Sequence, residues 1–231
     1  MHQLDQTQLQ LIRDYQPKER VQQTLMKAAV TLILRDTKHG TEVLLMQRAF
    51  HPKDPWSGQM SFPGGKIETT DESSRAAAER EAFEEVGAKL NDQDYVGRLD
   101  DLYGLKVNDV FSVHIACFVY KVSRDLELVA NEEVADMVWL PFQFLNDRKN
   151  AHDFVHPSEP SLAMPAVMIN AQKSQILWGL SLRMLSNLHV VLNQPMAVLS
   201  KQEHAQLREI EKRELSEKVL EKIQQELDDG N

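Results

Sequence analysis

The chain has 231 residues, 42% of them hydrophobic and 26% charged, a profile that suits a soluble globular protein built as one large domain or a core with additions. Its formal net charge of -9 excludes broad electrostatic binding to nucleic acid or membrane, so an anionic substrate needs local help from cations or a metal. The single cysteine, Cys117, forms no internal disulfide, no apolar run reaches the ~18 residues of a membrane span, and MHQLDQTQLQ lacks the pattern of a secretion signal; the expectation is a cytoplasmic protein. Residues 1–22 carry Leu4, Leu9, Leu11 and Ile12 among polar residues and predict a helix or an arm. LMKAAVTLIL (25–34) and TEVLLMQRA (41–49) predict two strands joined through a turn at Lys38-His39-Gly40. The stretch 51–65 is punctuated by Pro52, Pro55, Gly58, Pro63, Gly64 and Gly65 and predicts mainly loop. A helix follows, beginning near Glu72–Ser74 and capped by Gly87 in left-handed geometry.

Further along, 111–122 and 135–142 predict strands, the second stopped by Pro141. Residues 145–165, with Pro157, Pro160 and Pro165, predict irregular chain, and 174–192 a mostly buried helix despite Gly179. Ser200 and Glu203 have capping-box spacing. Leu215, Val219, Ile223 and Leu227 then recur every four residues on a charged helix that needs a partner, either the chain's own domain or a second subunit in a homodimer. The division expected is an N-terminal helix or arm (1–24), a main domain (25–193) and a C-terminal amphipathic helix (194–231). Strands and helices alternate irregularly, so the fold class is α/β, a sandwich with a mixed sheet and not a parallel doubly wound one.

REAFEEVG (80–87) places Glu81, Glu84 and Glu85 on one helical arc of about 100°. Like charges at this spacing repel by roughly 0.2–0.5 kcal/mol per pair. A solvated acidic face is one reading. The other is a site for Mg²⁺ or Mn²⁺, hard cations that suit carboxylate oxygen and turn the repulsion into coordination. Arg80, one turn before Glu84, can hold a carboxylate by a charge-assisted hydrogen bond.

The wider segment GGKIETTDESSRAAAEREAFEEVGA (64–88) resembles the Nudix box, a glycine-led loop and helix ending in R-E-x-x-E-E-x-G. Glu72, seven intervening residues, Arg80-Glu81 and Glu84-Glu85-x-Gly87 match it; an extra residue between Gly65 and Glu72 departs from it. The resemblance implies a Nudix-type α/β/α sandwich and metal-dependent hydrolysis of a nucleoside diphosphate linked to another group. It implies Glu81 and Glu85 as principal metal ligands, Glu84 as a further one, the Gly65 carbonyl completing the shell and Arg80 orienting the carboxylates. Catalysis would rest on Glu84, Glu85, Glu81 and Arg80, with Mg²⁺ or Mn²⁺ as cofactor.

LLMQRAFHPKDPWSGQMSFPGG (44–65) resembles the motif of coenzyme A pyrophosphatase-type Nudix proteins through Leu44, Leu45, Arg48, Gly58 and Phe62-Pro63-Gly64-Gly65. Met46, Lys53 and a longer Lys53–Gly58 gap depart from it. Arg48 and Lys53 are candidate substrate-binding cations; loop charge exposed to solvent is the competing role. The resemblance implies coenzyme A or an acyl derivative as substrate, with ADP-ribose, NADH and nucleotide sugars as alternatives within the class. A regulatory Nudix domain without turnover is the alternative of another class. Asp100, Asp101, Glu132 and Glu133 are candidates for an outlying ligand or general base, with capping as the rival role. His51 reads as a turn residue sooner than as a phosphate ligand, Trp56 as packing over the loop with stacking on an adenine as the rival role, His114 as a satisfied strand histidine, and Trp139 and Trp178 as core.

Overall fold

A computed structural model describes residues 3–19, 24–52, 56–104, 106–107, 110–156 and 159–209. Lys53 and the tail stripe of Leu215, Val219, Ile223 and Leu227 lie outside the described residues. In chain order the elements are α1 (Gln6–Arg13), β1 (Thr24–Thr37), β2 (Gly40–Arg48), β3 (Met60–Ser61), β4 (Gly64–Lys66), α2 (Ser74–Val86), β5 (Tyr95–Arg98), β6 (Leu102–Tyr103), β7 (Lys106–Val107), β8 (Val110–Val122), β9 (Val134–Pro141), β10 (Ala151–His156), β11 (Glu159–Asn170), β12 (Gln175–Trp178), α3 (Gly179–Val191) and α4 (Lys201–Glu209). Two 3₁₀ turns occupy Phe142–Asn146 and Arg148–Asn150.

Among the described residues, nine strands make one mixed sheet, in which the long strands β1 and β8 run parallel and the other pairs antiparallel. On its other edge β1 changes partner midway. Ala28–Val30 pair with β4, whereas Leu34–Thr37 pair with β2. Between them, the Thr31 amide donates to the Pro63 carbonyl at 2.8 Å. Strand β4 is therefore wedged into the sheet, a feature that the expectation of mainly loop over 51–65 did not include.

Side-chain alternation on β1 divides the core. Val30, Leu32 and Leu34 join a large cluster with α1, α3 and the second sheet. Ala29 and Ile33 face the opposite side, beneath α2. Alanines on both partners, Ala29 and Ala116 in strands and Ala77, Ala78 and Ala82 in α2, leave room for the helix to lie close to the sheet. Ser73 caps the start of α2, its hydroxyl accepting from the Ala76 amide; Gly87 ends it at φ 70°, in the left-handed region.

Two expectations are corrected. The stretch 145–165 contains β10 and much of β11, part of a second antiparallel sheet ordered β10-β11-β12. Pro165 fits this strand because β12 pairs only from Ala166 onward, leaving the proline nitrogen opposite no ladder partner on that side. Likewise 174–192 is not one helix: Gln175–Trp178 is strand, and Gly179, at φ 59°, is the joint from which α3 starts.

Ser200 and Glu203 form the expected reciprocal cap of α4. Segment 194–209 is packed into the main body, with Met196, Val198, Leu199 and Leu207 all buried in the large cluster.

Candidate active site

The site assembles where α2 crosses β1, β4 and β8. Glu85 is nearly inaccessible, 2% exposed, although it belongs to the acidic face of the helix. Its Oε2 accepts from the Gly64 amide at 2.8 Å, and its Oε1 lies 3.9 Å from the Arg48 guanidinium at the far end of β2. The backbone above it is also clamped, the Asn131 amide donating to the Glu85 carbonyl at 2.9 Å. Burial pushes the Glu85 carboxyl up to about 8; the charges of Glu81 and Glu133 push the same way, and the Gly64 amide and Arg48 offset this only in part.

Glu81 rests against the glycine-rich strand. A Cβ placed on Gly65 would sit 2.6–2.8 Å from the Glu81 carboxylate, so the close approach requires glycine there. Burial raises the Glu81 pKa, with Glu84 and Glu133 adding to it against the opposing pull of Arg80.

Arg80 is the hub. Its Nη1 reaches Glu81 at 2.8 Å and Glu84 at 3.0 Å, and its Nη2 donates to the Lys66 carbonyl at 3.2 Å. The remaining face of the fork clasps Asp71 bidentately, at 2.9 and 3.0 Å. Hydrogen bonding from Arg80 holds Asp71 below its ordinary pKa. Glu72 lies exposed before the helix. The arginine's acidic partner is thus Asp71, which the sequence reading missed. The signal was present: removing the extra residue after Gly65 from the count lands on Asp71.

Glu81, Glu84, Glu85, Arg80, Arg48 and Gly65 are brought together. Glu84 is half-exposed, and among the described residues no three acidic, histidine or cysteine side chains converge as a closed cation cage. Glu133 belongs to the neighbourhood: its charge is felt by both Glu81 and Glu85, and its carbonyl accepts from the Ala49 amide at 2.7 Å. Asp100 and Asp101 have other work. Asp100 accepts from the Tyr15 hydroxyl and the Lys18 amide, both at 2.8 Å. Asp101 binds Arg98 at 2.5 Å and lies 2.9 Å from Nε2 of His114.

A family model, that of the NUDIX domain, matches residues 25–159, more than half of the chain. The chain belongs to the NUDIX family. A probable nudix hydrolase of Schizosaccharomyces pombe is 28% identical over 155 residues, covering 67% of this chain and 52% of that one. An uncharacterized Nudix hydrolase of Escherichia coli, NudL, is 37% identical over 103 residues, covering 43% of this chain and 52% of the relative. The aligned part thus spans about half the length of these two curated relatives. The crystal structure of a MutT/nudix family protein from Enterococcus faecalis superposes with a TM-score of 0.51 at 14% identity, over 85% of this chain and 76% of that one, a likeness of fold. The segment 64–88 that resembles the Nudix box spans β4, the loop bearing Asp71 and all of α2. Among the described residues no helix is long and apolar enough to cross a membrane.

Proposed function

We propose that this NUDIX protein hydrolyses nucleoside diphosphate-linked substrates with the help of Mg²⁺ or Mn²⁺, and that coenzyme A or an acyl derivative is the preferred one. The observation that carries the reading is the pair Glu81 and Glu85: two carboxylates inserted against a glycine strand, one of them almost fully buried. Burying negative charge beside negative charge is costly unless a cation joins it. The donor set is all oxygen and open on the Glu84 side, which suits a hard cation that keeps water and substrate oxygens in its shell. Glu81, Glu85, Glu84 and the Gly65 carbonyl would hold the ion. When bound, it neutralises diphosphate oxygens and lowers the pKa of coordinated water.

The chain's own residues do the positioning. Arg80, anchored by Asp71 and the Lys66 carbonyl, sets the Glu81 and Glu84 carboxylates. The Gly64 amide holds Glu85, and Arg48 offers fixed positive charge beside it for a substrate phosphate. Lys53 would add a point charge, less selective in geometry than an arginine fork. Supporting coenzyme A is the upstream motif, from Leu44 through Arg48 to the Phe62–Gly65 run.

The test is a substrate panel with Mg²⁺, comparing kcat/KM for coenzyme A, its 3′-dephospho form, ADP-ribose, NADH and a nucleotide sugar, with products identified by mass spectrometry. Coenzyme A is expected to lead and to yield 3′,5′-ADP and 4′-phosphopantetheine. Glu85→Gln, which keeps shape and removes charge, should lower the rate by orders of magnitude in a folded protein. Equal rates across the panel would remove the coenzyme A assignment alone. A fully active Glu85→Gln would remove the metal-site assignment, and no turnover of any diphosphate would leave the regulatory reading.

A further inference from the structure

Phe50 is 82% exposed, more than any other large hydrophobic side chain among the described residues. It follows β2 directly, on a backbone held from both sides. The Arg48 amide donates to the Gln59 carbonyl at 3.0 Å, and the Ala49 amide to the Glu133 carbonyl at 2.7 Å. Beyond it, the His51 amide donates to the Ser57 hydroxyl at 2.9 Å, and that hydroxyl donates back to the His51 carbonyl. An aromatic ring is thus presented to water from an ordered frame, beside the acidic site. We propose that Phe50 is the platform on which the nucleobase of the substrate stacks; this rests on the hydrolase reading above and names the part of the substrate recognised there.

Alternation along β2 places Phe50 on the side of the carboxylates. Leu44 and Met46 pack beneath α2 with Ala82 and Val86, and Arg48 reaches Glu85 from the same face. The intervening Leu45 joins the large core, and the Gln47 side chain meets the Gly58 carbonyl and Gln175 of β12. Opposite Gln47 and Arg48 stand Asp136 and Val134, so the extra residue of the irregularity, Ala135, belongs to β9 and the alternation of β2 runs on unbroken. The bond between Ala49 and Glu133 carries the ladder one residue past β2. Phe50 is therefore the next residue on the Arg48 face, about 7 Å further along an extended chain.

The spacing selects the chemistry. An arginine beside the carboxylates meets a phosphate, and an aromatic face one step outward meets a flat ring joined to that phosphate. In a nucleoside diphosphate-linked substrate that ring is the base. A pantetheine chain presents no flat face and loses rotor freedom when it is held. Every base has a π-face, and a phenyl ring carries no hydrogen-bonding group, so Phe50 holds a base without reading its edge. Adenine and guanine are gripped alike here, and discrimination between substrates falls to other groups.

Calorimetry on the full chain with Mg²⁺ would compare three ligands: α,β-methylene-ADP, whose P–C–P bridge resists hydrolysis, its guanosine counterpart, and methylenediphosphonate, which lacks the nucleoside. Phe50→Ala and Phe50→Leu should each weaken both nucleotides by at least about fivefold and leave methylenediphosphonate as it was, whereas Phe50→Trp should bind them no more weakly than the unaltered protein. Leucine keeps apolar bulk without an aromatic face, so its failure separates stacking from simple burial. In turnover of ADP-ribose, Phe50→Ala should lower kcat/KM by a similar factor, mainly through KM. The proposal is overturned if the unaltered protein binds neither nucleotide, if the alanine variant binds them equally well, if leucine restores binding, or if all three ligands weaken together. It is also overturned if Phe50→Ala lowers the solution mass with nucleotide binding intact, which would make the ring a contact between two copies. Phe50-dependent binding without hydrolysis of any diphosphate would uphold this inference and remove the hydrolase reading; turnover indifferent to Phe50 would do the reverse.

Discussion

Glu85 keeps its proton up to about 8 in the folded, metal-free protein, whereas in the unfolded chain it ionises near 4.5. Between those values the folded state binds a proton that the unfolded state has released, so stability falls as pH rises through the window. Glu81 shifts in the same direction and adds to the slope. Each unit of displacement is worth about 1.4 kcal/mol, enough to be measured in a domain of ordinary stability. Urea unfolding between pH 5 and 8.5 without divalent cations should show this decline, and Glu85→Gln should flatten it. A decline of the same slope in the variant would mean that Glu85 is not the group responsible. Added Mg²⁺ should reverse the trend, since it binds the ionised form. The three glutamates were legible in the sequence because they are neighbours on one helical turn. Their real constraints were not, since the Gly64 amide, Arg48 and Asn131 reach Glu85 from separate parts of the chain.

At the scale of elements, the glycine pair of β4 separates fold from site. Gly64 stands at φ 149°, and a Cβ there would meet the Ala29 carbonyl at 2.3 Å and the Val30 Cα at 2.5 Å. Both obstacles are backbone of the central strand and cannot step aside. Gly64→Ala should therefore destabilise the protein by more than the ~1–3 kcal/mol of ordinary overpacking. A Cβ on Gly65 meets only the end of the Glu81 side chain, which can move. Gly65→Ala should keep most of the thermal stability and lose activity. Melting curves and turnover on both variants check this, and the reverse pattern would refute the division of roles. The same logic explains what periodicity misread. The two-residue strand β3 and three-residue β4 are too short to show alternation, and they exist because β1 and β2 offer open ladder positions. Gln175–Trp178 looked helical because an apolar run carries no period of its own; Gly179 marks the joint only once its φ is known.

For the whole molecule, the last described segment closes the large core. Met196, Val198, Leu199 and Leu207 are each no more than 4% exposed and share a cluster with α3 and the second sheet. Burying four side chains of this kind contributes roughly 6–12 kcal/mol as an upper figure, the scale of a domain's entire stability. The Ser186 hydroxyl, 3.2 Å from His204, and the bidentate pairing of Arg148 with Glu203 fasten α4 to the body as well. A chain ending at residue 193 should consequently fail to fold or melt far below the full chain, while one ending at 209 keeps the closed core. Comparing residues 1–209 with 1–231 then isolates the stripe of Leu215, Val219, Ile223 and Leu227. Its four-residue spacing predicts an amphipathic helix, which is marginal alone in water, so removing the stripe is expected to lower either the melting temperature, if it docks on its own domain, or the solution mass by light scattering, if it joins two copies. If both stay unchanged, the stripe has no structural partner in the protein.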